Sequence, residues 1–209
     1  MMTQTVQQTA VATLVAFCAC VSATPQPVVA VPEVFYASQS GRSTLDEGEG
    51  GGNPFASALI ELLERPSLTH AELQSDLLAL TQEKSHGFQT PDVPTALDSS
   101  HWRLKPVPAS ARRVALVFVY SNYRTAGVTS LPGAERDLER VAAGLRKAGF
   151  KVQTAAKPTR ANLLKALKAL SIKSEDAEAA VIYLTSHGFE HDGRVYLMPS
   201  DYPFGEGPN

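Results

Sequence analysis

The sequence predicts an α/β fold built on a mostly parallel sheet, and three observations carry that prediction. From Arg113 onward, apolar strand patterns alternate with amphipathic helical patterns, an order that gives parallel strands joined by right-handed crossovers. The runs 114–120 and 179–184 are almost wholly apolar and rich in β-branched and aromatic residues, as strands covered on both faces require. The second run ends in Thr185-Ser186-His187-Gly188, which puts polar residues at a strand's carboxyl end, the edge where open α/β sheets bind ligands.

Composition sets the outer limits. With 209 residues, 44% hydrophobic and 19% charged, the chain can bury one sizeable core and is expected to form a single domain. A net charge of -2 argues against a general nucleic-acid binder. Cys18 and Cys20 are too close together for an ordinary structural disulfide and lack the spaced second pair of a zinc site. One of them is a candidate nucleophile.

The amino end supports two readings. Residues 11–23 form an apolar run closing on a small-x-small triplet, Val21-Ser22-Ala23, the pattern of a signal-peptide core cleaved after Ala23. It is too short to span a bilayer, and no Lys or Arg precedes Arg42, so the positive region of a secretory leader is missing. The other reading is a buried strand, Thr13 to Phe17, that delivers a cysteine at its carboxyl end.

Further along, Val34-Phe35-Tyr36 reads as a strand, and the glycines from Gly48 to Gly52 as a flexible surface turn. Asn53 as N-cap and Pro54 at the first helical position start a helix over 55–65 with Leu59, Leu62 and Leu63 on one face. Thr69 and Glu72 form a capping box for a second helix carrying Leu73, Leu77, Leu78 and Leu80. Pro91, Pro94, Pro106 and Pro108 mark residues 93–112 as a linker. Beyond the strand at 114–120, Leu138, Val141, Ala142 and Leu145 make a helical stripe stopped by Gly149. A strand starts at Phe150, and Thr159 caps a helix with Leu163, Leu164, Leu167 and Leu170 inward.

The chemistry concentrates on His187. An imidazole at a strand's carboxyl end can serve as a general base near neutral pH, and Gly188 permits a sharp turn with its N–H open to an oxyanion. The tetrapeptide Ser-His-Gly-Phe also occurs at 85–88. That copy follows the polar end of a helix, so His86 reads as a helix C-terminal residue closed by Gly87.

Ser186-His187-Gly188, Asp192-Gly193 and Tyr196-Leu197-Met198-Pro199-Ser200-Asp201 together resemble the histidine segment of the caspase-like clan of caspases, metacaspases and orthocaspases. The strand followed by Asn122-Tyr123, then Leu131-x-Gly133-x-x-x-Asp137 and Gly149-Phe150-x-Val152, resembles the opening half of such a domain. Residues 34–92 resemble the part of orthocaspases that follows the catalytic cysteine. The resemblance implies a caspase-like α/β/α sandwich in circularly permuted order: a tail (1–12), a cysteine-strand half (13–92), the linker (93–112) and a histidine half (113–209).

It further implies a cysteine endopeptidase acting on proteins or peptides without cofactor or metal. Cys20 would be the nucleophile, His187 the base and Gly188 an oxyanion donor. Asp137 matches one acid of the pocket that takes Arg or Lys in metacaspases, while Cys18 replaces the other. The strand at 13–17 is then expected beside and parallel to the strand at 181–185. With the amino end retained, a cytoplasmic enzyme is expected. If residues 1–23 are cleaved, both cysteines leave and the remainder is a secreted or scaffolding pseudoenzyme.

Overall fold

A computed structural model of the chain describes residues 10–19, 32–94, 103–123, 128–156, 159–199 and 201–202. In chain order the elements are β1 (Ala10–Ala19), β2 (Glu33–Tyr36), α1 (Pro54–Glu64), β3 (Leu68–Thr69), α2 (His70–Lys84) and β4 (Arg103–Lys105). There follow β5 (Arg113–Val119), α3 (Pro132–Lys147), β6 (Lys151–Ala156), α4 (Arg160–Ser174), β7 (Ala179–His191) and β8 (Arg194–Leu197). The main sheet runs β2-β1-β7-β5-β6, with β8 paired to the far end of β7.

β5, β6 and β7 are mutually parallel. The path steps from β5 outward to β6 and then back past β5 to β7, so right-handed crossovers put α3 and α4 on opposite faces. Every residue of β5 is accordingly buried. The helix signals form as the sequence requires. Asn53 Oδ1 accepts the N–H groups of Phe55 and Ala56, Thr69 and Glu72 close the capping box, and Thr159 accepts from Asn162. Gly149, with φ +83°, stops the helix before β6.

Four expectations are corrected. β1 does lie beside β7, but antiparallel: Thr13 faces Thr185, and Ala19 faces Ala179. β1 is also antiparallel to β2, so β2 and β7 point the same way with a reversed strand between them. β7 does not end at Ser186; it continues through His187 and Gly188 to His191. The chain reverses instead at Asp192-Gly193, whose φ values of 50° and 69° suit the two-residue hairpin turn that Asp-Gly favours.

In α4, Ala166 and Leu170 are buried while Leu164 is 52% exposed. Leu163, Ala166, Leu167 and Leu170 share one stripe at helical spacing, and Leu164 sits one residue, about 100°, off it. The segment 93–112 contains β4, which pairs with β3 around a fully buried Leu104. Three residues are too few for a strand period to be legible.

The first half of the chain meets the second at the start of α3. Leu131 stands at the N-cap of α3 and has no side chain able to cap it. Asp46 does so from a distance, its carboxylate accepting the N–H groups of Gly133 and Ala134 at 2.8 and 2.9 Å. An anion there also suits the helix dipole. A Cβ on Gly133 would lie 2.0 Å from the Asp46 carbonyl oxygen, so only glycine admits this contact. Among the described residues, no helix is long and apolar enough to cross a membrane.

Candidate active site

β5 pairs with β7 as far as Val119 opposite Thr185, and the Tyr120 N–H bonds the Thr185 carbonyl. Ser186, His187 and Gly188 therefore project past the carboxyl end of β5. Alternation along β7 puts the His187 side chain on the same face as Tyr183 and Thr185. The residue is 6% exposed.

Two contacts orient the imidazole. His187 Nε2 lies 2.7 Å from the carbonyl oxygen of Thr129, and because a carbonyl only accepts, that partner assigns the proton to Nε2. The other nitrogen, Nδ1, is buried with no hydrogen-bond partner. Its lone pair is the basic position of the ring. The ring also meets Tyr123 edge-on, with centroids 4.6 Å apart. On the backbone, the His187 N–H donates to the Tyr123 hydroxyl at 3.0 Å, and that hydroxyl donates to the Met198 carbonyl at 2.7 Å. Met198 N–H in turn bonds the His187 carbonyl. Burial pushes the Tyr123 hydroxyl far above its ordinary pKa, so it stays protonated and can donate and accept together.

Because the His187 N–H points toward β8, the Gly188 N–H points to the opposite edge. There β1 is paired, with Ala10 facing Gly188 and Val11 facing His187. The backbone donor expected to hold an oxyanion thus lies on the edge that β1 occupies.

Cys18 faces Ala180, seven positions before His187 along β7. Cys20 lies outside the described residues. The residue before it, Ala19, faces Ala179, eight positions from His187, or roughly 26 Å at the rise of an extended strand. Antiparallel pairing thus carries the described end of β1, at Cys18 and Ala19, away from His187.

Asp137 has a different job from the one expected. It is 0% exposed; its carboxylate accepts the Asn53 N–H and pairs with Arg140, both at 2.8 Å. Burial pushes its carboxyl up to about 6, against the opposing pull of Asn53 and Arg140. A Cβ on Gly52 would fall 2.0 Å from Asp137 Oδ1. The glycine loop reaches this carboxylate through the buried Gly52, while Glu49, Gly50 and Gly51 stay at the surface. Through Asn53 and Arg140, Asp137 clamps the two halves together.

Residues 112–206 match the family model for the caspase domain. This stretch carries a caspase-like domain. The matched stretch takes in β5 through β8, with Tyr123, Asp137 and His187. A domain of this kind is in general a hydrolase acting on protein substrates. No curated protein and no solved structure matches the chain.

Within this caspase-like site the sequence singled out His187 and Gly188, and noted Tyr123 without a role. It gave no sign of Thr129, which contributes only a carbonyl, a group every residue carries. Asp46 left an indirect signal, a helix start at Leu131-Pro132 without a capping side chain of its own. Among the described residues, no three His, Cys, Asp or Glu side chains converge to hold a metal ion.

Proposed function

We propose that the chain is a caspase-type cysteine endopeptidase with His187 as its general base. The observation that supports this most is the imidazole, with Nε2–H held on Thr129 and Nδ1 left as an unshared base at the carboxyl edge of the sheet. A thiol beside Nδ1 gives it a proton, and the thiolate attacks the scissile carbonyl carbon. As the C–N bond breaks, the proton passes from Nδ1 to the leaving amine. Water then hydrolyses the thioester.

Cys20 is the thiol the sequence offers. For it to serve, residues 1–23 must stay on the chain in the cytoplasm, and the end of β1 must leave the register described above. A circularly permuted order is part of the same proposal, supported by the way Asp46, Asn53 and β2 of the first half join α3 and the sheet of the second. With Asp137 buried and paired, the expected preference for Arg or Lys loses its basis.

The antiparallel register of β1 favours a second reading, a caspase-like domain that binds protein without cutting it; a secreted form that has lost residues 1–23 would bind without β1. One experiment separates the two. The purified full chain is given a peptide library, alongside Cys20→Ala and His187→Ala. Cleavage lost in both variants supports the enzyme. Cleavage that survives Cys20→Ala removes that thiol from the mechanism, and no cleavage by any form, with a mature mass lacking 1–23, supports the binder.

A further inference from the structure

Tyr123 touches His187 in more ways than a packing residue needs. Its hydroxyl sits between the His187 N–H and the Met198 carbonyl, at 3.0 and 2.7 Å, and so enters the β7–β8 ladder where a direct bond would otherwise run. Its ring stands edge-on to the imidazole, with 66° between the planes. Its own N–H donates to Ser130 Oγ at 3.3 Å. Ser130 follows Thr129, whose carbonyl holds Nε2, and Leu131 N–H closes the segment back on Ser121 at 2.8 Å. One residue therefore bears on the backbone, the ring face and, through Ser130, the acceptor that fixes the imidazole proton. Tyr123 is 1% exposed, so water does not compete for these bonds.

We propose that Tyr123 is a positioning residue for His187, one that keeps the imidazole in the Nε2–H form with Nδ1 free to take a proton. The proposal rests on His187 being the base, and extends that reading to what holds the base in place. Tyr123→Phe keeps the ring and removes the hydroxyl, which frees the His187 N–H and the Met198 carbonyl from their common partner. Ser130→Ala leaves the Tyr123 hydroxyl and loosens only the tie to Thr129.

The test uses the full chain and reads which ring nitrogen carries the proton, by long-range proton–nitrogen NMR of His187, together with kcat and KM on a cleaved peptide. Wild type should show one tautomer, protonated at Nε2. Tyr123→Phe should show a mixed or reversed tautomer, with kcat reduced roughly 10- to 100-fold, as loss of geometry at a reacting group produces, and KM unchanged. Ser130→Ala should move both readouts the same way by less. A Tyr123→Phe variant that keeps a single Nε2–H tautomer overturns the proposal, whatever its activity or melting temperature. Should Tyr123→Phe fail to fold, Ser130→Ala decides: an unchanged tautomer there refutes the tie to Thr129. A wild type that cuts nothing removes the peptidase reading alone, because the NMR readout needs no turnover.

Discussion

The chain contains the tetrapeptide Ser-His-Gly-Phe twice, at 85–88 and 186–189, and the two copies fold in opposite ways. In the first, Ser85 closes α2, His86 and Gly87 both take left-handed backbone angles, φ 51° and 80°, and Phe88 is 60% exposed. In the second, all four residues lie in β7; His187 is buried and Phe189 stacks on Tyr196 with the rings 5.1 Å apart. Four residues do not choose between these states. The preceding segment does, since a polar helix end with no further apolar residue to bury must stop, while a run of Val, Ile, Tyr and Leu carries its extended form onward. Reactivity follows the same division. An exposed imidazole at a helix end has no acceptor to fix its proton, whereas Thr129 selects one nitrogen of His187.

Changing the histidines should give the largest contrast. His187→Ala should lower peptide cleavage by about 10²-fold or more, the usual contribution of a general base, with His86→Ala at wild-type rate. Equal losses, measured as kcat/KM on one peptide, would break the distinction.

The second copy also has β1 beside it, and the register there can be trapped. Thr13 and Thr185 face each other in a pair whose N–H groups point away, where Cα atoms sit about 4.5 Å apart and a disulfide can form. Thr13→Cys with Thr185→Cys should crosslink under mild oxidation, read by peptide mapping. A crosslink absent there would place β1 in another register and reopen the route of Cys20 to His187.

The serines sharpen the comparison by stability. Ser85 Oγ accepts the Gln89 N–H at 2.9 Å and donates to the Gln82 carbonyl at 3.1 Å, so Ser85→Ala should cost about 1–3 kcal/mol in urea unfolding, the range for orphaning buried partners. Its effect on cleavage should be nil. Ser186 Oγ donates to the carbonyl of His187 itself, at 2.7 Å, so Ser186→Ala should be felt in cleavage first.

The phenylalanines give the smallest effect. Phe189→Ala should lose the stacking contribution, about 0.5–1.5 kcal/mol beyond buried area, while Phe88→Ala should fall within about 0.5 kcal/mol of wild type, as exposed sites do. Matching values from thermal unfolding would show that the hairpin stack is incidental.

Local chemistry was enough to determine much of this protein. Asn53, Thr69 and Thr159 marked helix starts because a short polar side chain at that position captures N–H groups one turn away. β5 and the paired part of β7 were legible because strands buried on both faces must be apolar throughout, and the Asp-Gly and Ser-His-Gly signals lie within a few residues of what they control. Tertiary structure alone decided the rest. The direction of β1 was not readable, since residues 10–19 alternate equally well in either orientation and only pairing with β7 chooses. Asp137 carries the same carboxylate whether it meets a substrate or Arg140; its burial depended on Gly52 arriving from the other half of the chain. The proton on His187 was fixed by the backbone carbonyl of Thr129, 58 residues away, and a carbonyl has no sequence signature at any distance.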